Sequence, residues 1–226
     1  MQNAAAVYLC CMMKTAHPEI ARQIAGRLLE IGAIKLQPEK PFTWASGWQS
    51  PIYCDNRLTL SFPEHRTYIK AHLVAQVNEH FLTREVVAGV ATAGIPQGAL
   101  VADAMNVPFV YVRSKPKGHG MENLIEGKVE PGKKVLVVED LVSTGGSSLK
   151  AVEALRAAGY EVLGMLSIFT YGFDVAAENF EKAGVDYISL SSYEYMIEEA
   201  LAQKYISESQ VKTLQNWRKD PANWTP

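Results

Sequence analysis

Two adjacent carboxylates follow an apolar run near the middle of the chain, and a turn of small residues comes directly after them. The run is 135–138, the carboxylates are Glu139 and Asp140, and the turn is 143–147. Carboxylate oxygens accept hydrogen bonds from neighbouring hydroxyl groups, and the free N–H groups at the start of a helix bind phosphate. Because ribose 5-phosphate presents both a phosphate and a vicinal diol, the pattern predicts a site for a sugar phosphate.

The composition of the turn is itself suited to phosphate. Gly145 and Gly146 allow the backbone to approach phosphate oxygens closely, and Ser143, Thr144 and Ser147 add hydroxyl groups. In a purely structural interpretation the turn would only cap a helix and the acids would be solvated. The occurrence of strand, acid pair, turn and helix together favours the ligand site.

A second group of polar residues lies one element earlier, in a stretch of 21 residues without apolar periodicity, 114–134. Loops of that length in a compact domain are usually functional lids or disordered segments. Arg113, Lys117 and His119 are three potential cations flanked by glycines. They are suited to a pyrophosphate that gains negative charge as it leaves. Taken alone, a basic loop is more often simply solvated.

The elements around these residues alternate in type. Buried strands are predicted at 86–90, 109–112, 135–138, 162–169 and 187–190, and helices at 20–31, 63–80, 97–105, 147–158 and 175–183. Strands alternating with helices of this length indicate βαβ units. The predicted fold class is α/β, doubly wound, with a mainly parallel five-stranded sheet and helices on both faces.

The whole-chain composition limits the kind of protein. Of 226 residues, 22 are basic and 24 acidic, which gives a net charge of -2 and argues against a nucleic-acid or membrane-surface partner. The three cysteines show no disulfide or zinc spacing and favour a reducing compartment, so we expect the cytoplasm. No apolar run reaches 18 residues, which excludes a membrane-spanning helix.

We divide the chain into an extension and one domain. Residues 1–16 are expected to be a disordered extension, since the apolar run at 4–13 lacks the basic flank and cleavage site of a signal peptide. Residues 17–226 are expected to form one domain, with a core at about 61–190 and C-terminal helices at about 191–220. The pattern assigns no role to the terminal segment with Trp217 and Trp224.

The motif at 135–147 resembles the 5-phosphoribosyl 1-pyrophosphate (PRPP) signature of the type I phosphoribosyltransferases. The loop at 113–120, and the segments 42–47 and 50–53, are similar to the catalytic loop and the N-terminal hood of the orotate phosphoribosyltransferases. We call 17–60 the hood. By this resemblance the hood covers the base, and the alternative interpretation is that its aromatic residues only pack in the core.

This resemblance implies transfer of ribose 5-phosphate from PRPP to orotate, with Mg²⁺ held mainly by substrate, in a homodimer that shares its loops. It implies catalytic roles for Arg113, Lys117, His119 and Asp140, and a place for Ser143 beside the base. The PRPP-binding residues it implies are Arg113, Lys117, His119, Glu139, Asp140, Leu141, Val142, Ser143, Thr144, Gly145, Gly146 and Ser147.

The chain departs from many members of that family at several positions. Ser114, Ala45 and Ala93 stand where those members carry Lys, and 169–172 lacks the Arg that some use against the base carboxylate. The group that contacts the orotate carboxylate is therefore left open. Two alternatives for the function are a purine phosphoribosyltransferase and a PRPP-sensing regulator, although the chain lacks the basic surface expected of a DNA-binding regulator.

Overall fold

The computed structural model of the protein describes residues 13–44, 47–115, 124–128 and 130–225. In chain order the strands are β1 (Lys14–Thr15), β2 (Ile34–Leu36), β3 (Phe42–Thr43), β4 (Gln49–Ser50), β5 (Ile52–Cys54), β6 (Val86–Val90), β7 (Phe109–Val112), β8 (Ile125–Glu126), β9 (Lys134–Val138), β10 (Leu141–Val142), β11 (Glu161–Thr170) and β12 (Tyr187–Ser192). The helices are α1 (Pro18–Glu30), α2 (Pro63–His80), α3 (Gly94–Met105), α4 (Gly146–Ala157), α5 (Asp174–Ala183), α6 (Tyr193–Ala202) and α7 (Glu208–Lys219), with a 3-10 helix at Asn56–Ser61.

One large sheet forms the centre, in the order β1-β12-β11-β9-β6-β7-β8, and β10 also pairs with β11. All pairs in this sheet are parallel except β7 with β8. The predicted α/β class and mainly parallel sheet are confirmed. The five predicted strands form its middle, and the sheet is larger than predicted because β1, β8 and β10 add two residues each.

The start of the domain needs a correction. Lys14 and Thr15 pair in parallel with Ile188 and Ser189, and Ala16 is buried, so these residues belong to the fold and not to a disordered extension. A strand of two residues is too short to show an alternating pattern, which explains why the sequence did not indicate it. The remainder of the predicted extension, 1–12, lies outside the described residues.

Both faces of the sheet are covered by apolar cores. Along β9, Leu136 and Val138 belong to one core, whereas Val135 and Val137 belong to the other. This alternation follows from the two-residue period of a strand, and burial on both faces explains its continuous apolar sequence. The acid pair follows directly, so the sheet positions it at the carboxyl edge, where ligands of such folds bind.

The hood contains two small antiparallel pairs, β2 with β5 and β3 with β4, followed by the 3-10 helix. Each of these four strands is only two or three residues long. Helix α7 packs on the core through Leu214 and Trp217, both fully buried. Among the described helices, none combines the length and apolarity that crossing a membrane requires.

Candidate active site

The acid pair lies at the end of β9 in a largely buried position. The Glu139 side chain accepts hydrogen bonds from the Asp140 backbone N–H at 3.1 Å and from the Ser148 hydroxyl at 3.2 Å. Burial raises the pKa of Glu139 well above its usual value, and the neighbouring charge of Asp140 raises it further. Burial also raises the pKa of Asp140. A ligand that supplies hydroxyl donors or a cation would relieve the cost of ionising this pair.

The predicted phosphate turn leads into α4 as expected. Gly145 has φ +79°, and a Cβ there would lie 2.9 Å from the Phe180 ring. The Asn179 side chain donates to the Thr144 carbonyl at 3.0 Å and so ties the turn to α5. The first N–H groups of a helix lack partners within the helix, and here they begin at Gly146. Asn179 and Phe180 thus hold the turn against α5.

A second turn, between β6 and α3, packs against the acid pair. A Cβ on Gly94 would lie only 2.6 Å from the Val138 carbonyl oxygen and 3.2 Å from the Glu139 carboxylate. Ala93 is the N-terminal cap residue of α3. Only a glycine allows this approach, so the turn and the end of β9 form one surface.

The hood reaches the acid pair through a residue that the sequence did not indicate. The Asn56 amide donates to the Asp140 carbonyl at 2.8 Å, although the two residues are 84 positions apart. Arg57 is held by Asp55 through Nε at 2.6 Å and Nη2 at 2.8 Å. The positive charge of Arg57 partly offsets the rise that burial causes in the pKa of Asp140. The Asp140 main chain is therefore fixed from the hood side, with a cation nearby.

The start of the basic loop is described, and its centre is not. Arg113 Nη1 lies 3.3 Å from Glu126 Oε1, and the Arg113 backbone N–H donates to the Leu124 carbonyl at 2.8 Å. A cavity of about 530 Å³ between this loop and α4 is lined by Ala91, Arg113, Ser147 and Lys150 among others. The predicted cations Lys117 and His119 lie outside the described residues.

The hood aromatics pack on the core. The Trp44 ring lies 5.1 Å from Tyr171 and 5.6 Å from Trp217, and its indole N–H donates to the Ile52 carbonyl. This agrees with the core-packing interpretation for Trp44. Ala45 lies outside the described residues.

The described residues contain no group of three or more His, Cys, Asp or Glu side chains that could hold a metal ion unaided. Glu139 and Asp140 supply carboxylate oxygens, which Mg²⁺ prefers when substrate oxygens and water complete its shell. The donor set thus fits a magnesium ion that arrives with a phosphorylated substrate.

Comparison with known proteins decides the family. Residues 66–201 match the phosphoribosyl transferase domain. The orotate phosphoribosyltransferase of Cytophaga hutchinsonii is 59% identical over 203 residues, which cover 90% of this chain and 97% of the relative. That of Bacillus cereus is 58% identical over 202 residues, 89% of this chain and 96% of the relative. The chain belongs to the orotate phosphoribosyltransferase family.

A solved structure supports the same assignment. The orotate phosphoribosyltransferase of Aeropyrum pernix superposes with a TM-score of 0.72 at 30% identity, covering 81% of this chain and 99% of that one. The matched domain, 66–201, includes the acid pair, the phosphate turn and Arg113. The whole hood and all of α7 lie outside it, and their contacts in this structure indicate what they do.

Proposed function

We propose that this protein transfers ribose 5-phosphate from PRPP to orotate, giving orotidine 5'-monophosphate and pyrophosphate in pyrimidine synthesis. The observation that carries the proposal is the acid pair beside the phosphate turn, with Glu139 buried and Asp140 partly buried, in a chain 59% identical to an orotate phosphoribosyltransferase over most of its length. Residue roles below follow from the position of each group and from the family resemblance.

The acid pair and the turn bind the part of PRPP that is transferred. Asp140 and Glu139 accept the ribose hydroxyls, while the N–H groups and hydroxyls at 143–147 hold the 5'-phosphate. As the bond from C1 to the pyrophosphate oxygen breaks and the bond to the orotate ring nitrogen forms, positive charge develops on the sugar. The buried carboxylates stabilise that charge because little water surrounds them.

The basic loop neutralises the leaving pyrophosphate. Arg113 has to leave its ion pair with Glu126 to contact the pyrophosphate oxygens. Lys117 and His119 contribute further positive charge when the loop closes. Glu139 and Asp140, together with substrate oxygens and water, would hold Mg²⁺, and the ion would reduce the negative charge of the leaving group. Ser143 lies beside the base in this arrangement.

Assembly and location form part of the proposal. By family resemblance the protein is a homodimer in which each loop acts on the partner's site. The cysteine pattern favours the cytoplasm, and the described thiol, Cys54, is free.

The test follows orotate absorbance in a mixture of purified protein, PRPP and MgCl₂, with the nucleotide product identified by chromatography. We expect absorbance to fall only when protein, PRPP and metal are all present, and the Asp140→Ala variant to give no signal. Orotate that remains unconsumed by folded wild-type protein in the complete mixture would overturn the proposal.

A further inference from the structure

Helix α7 joins two parts of the molecule that are far apart in sequence. Its Trp217 is fully buried, and the indole N–H donates to the Gln49 carbonyl of β4 at 2.9 Å. The same ring lies 5.6 Å from Trp44 in the hood and 5.9 Å from Tyr171, the first residue after β11. One side chain of α7 thus packs the hood against the end of the sheet.

The next residue holds the turn after β11 by its main chain. Arg218 donates from Nε to the Tyr171 carbonyl at 3.2 Å and from Nη2 to the Gly172 carbonyl at 2.6 Å. Gly172 has φ +64°, and Glu194 lies 3.6 Å from the same Nη2. A planar guanidinium presents two donors in a fixed geometry that suits two adjacent carbonyls, whereas the donors of an ammonium on a flexible stem are not fixed in this way.

This turn lies directly beside the phosphate turn. The Tyr171 backbone N–H donates to the Val142 carbonyl at 3.1 Å, and the Thr170 hydroxyl donates to the same oxygen at 3.2 Å. Val142 immediately precedes Ser143, the first residue of the phosphate turn. The end of β11 and the hood also meet at the acid pair, since the Phe169 backbone N–H donates to the Asp140 carbonyl at 3.2 Å and the Asn56 amide donates to it at 2.8 Å. A ribose bound to the acid pair, with its phosphate on the phosphate turn, would therefore carry its base beside these two segments.

We propose that α7 positions the base-binding half of the active site, with Arg218 acting through the 171–172 main chain and Trp217 acting through the hood. Arg218 is a positioning residue and not a substrate contact, because its Nε and Nη2 are already directed at main-chain carbonyls. The inference rests on the proposed function and extends it, since α7 lies outside the matched phosphoribosyl transferase domain. It predicts that loss of the Arg218 contact with the 171–172 main chain weakens the binding of orotate and leaves the binding of PRPP largely unchanged.

The variant that tests this is Arg218→Gln, measured beside Arg156→Gln. Arg156 also donates to two adjacent carbonyls, those of Ala183 at 2.8 Å and Gly184 at 3.0 Å, but these lie before β12 at the amino edge of the sheet. The two substitutions therefore remove the same kind of interaction from opposite edges. Thermal unfolding should show comparable losses for both.

Steady-state kinetics then distinguishes an effect on the base-binding half of the site from a general loss of stability. Loss of two charge-assisted hydrogen bonds at the turn should raise the KM for orotate at least about fivefold in Arg218→Gln, with the KM for PRPP changed less than about twofold. Arg218→Lys should recover part of the loss because it keeps the positive charge and can still donate, although it lacks the planar pair of donors. Arg156→Gln should keep the wild-type KM for both substrates.

Each other outcome overturns the inference. If Arg218→Gln shifts the orotate KM no more than Arg156→Gln does, or if both KM values and kcat change together with the unfolding temperature, Arg218 has a structural role only. Should Arg218→Gln fail to fold, the same comparison is made with Arg218→Lys, and an unchanged orotate KM there contradicts the proposal. A folded wild-type protein without orotate turnover would instead overturn the proposed function itself.

Discussion

Glu139 and Asp140 are held in an environment that disfavours their charges, with Glu139 only 5% exposed. Gly94 at the start of α3 and Ser148 in α4 both contact Glu139, and Asn56 holds the Asp140 carbonyl from the hood. Such an arrangement costs stability in the absence of substrate, because a solvated carboxylate would be lower in free energy. The pair is therefore arranged for a bound sugar rather than for the stability of the fold, and two substitutions separate these effects.

Replacing Asp140 with Asn removes a charged acceptor from the ribose while keeping the shape of the side chain. We expect transition-state stabilisation to fall by about 2 kcal/mol or more, which lowers turnover at least about 30-fold. Stopped assays of nucleotide product, with the unfolding temperature as the folding control, measure this directly. Wild-type turnover in the variant would show that the acid pair has been assigned wrongly.

Glu139→Gln should be more stable than the wild type at alkaline pH although it is less active. The folded state raises the pKa of Glu139, so between the unfolded and folded pKa values the folded protein binds more protons than the unfolded one. The free energy of unfolding contributed by this group is then highest at low pH and falls as pH rises through that window. Gln stays neutral, so the variant should gain on the order of 1 kcal/mol at pH 8 and nothing at pH 4.

Urea unfolding of both proteins at several pH values measures this difference. The exposed Glu153 provides the matched control, because Glu153→Gln changes the same group on the surface of α4 and should alter stability little at any pH. A stability difference between Glu139→Gln and wild type that does not grow with pH would contradict the account of the buried carboxylate.

At the scale of elements, the site depends on how closely the turn after β6 approaches the end of β9. Gly94→Ala should cost about 1 to 3 kcal/mol, since its Cβ would lie 2.6 Å from the Val138 oxygen and would displace Glu139. Gly26→Ala is the control, because its Cβ would meet only the side chains of Gln203 and Glu199, and alanine is favoured in a helix. The unfolding temperature and kcat should both fall in Gly94→Ala, and neither should fall in Gly26→Ala. Normal values for that variant would show that the close approach is not required.

The elements most accurately predicted from sequence are short continuous apolar runs and a helix with a clear start signal. Strands β6 and β7 are such runs and helix α2 begins at Pro63, and all three have the predicted bounds. The two-residue strands β1, β8 and β10 have no period and were not indicated. The acid pair and phosphate turn were recognisable because they are contiguous, whereas the contacts of Asn56 and Arg218 join residues 84 and 46 positions or more apart and depend on tertiary packing.

At the scale of the whole molecule, the shared loop of the proposed homodimer can be tested by mixing. Lys117→Ala and Asp140→Ala should each be inactive. If Lys117 acts on the partner's site, half of the refolded dimers from an equal mixture contain one intact site, and activity returns to roughly a quarter of wild type. If it acts within its own subunit, every site keeps a lesion. An inactive mixture, with subunit exchange confirmed by a tagged pull-down, would refute the shared site.

The base that accepts the ribose distinguishes this account from that of a purine phosphoribosyltransferase or a PRPP-binding regulator. Pyrophosphate release provides a readout common to all bases, so initial rates can be compared at fixed PRPP and MgCl₂ with orotate, uracil, adenine or hypoxanthine. A site that pairs the base carboxylate and ring amides leaves polar groups unpaired with the wrong base, and orotate should exceed each of the others by about 10⁴-fold in kcat/KM. Comparable rates with a purine, or no pyrophosphate with any base, would contradict the central claim.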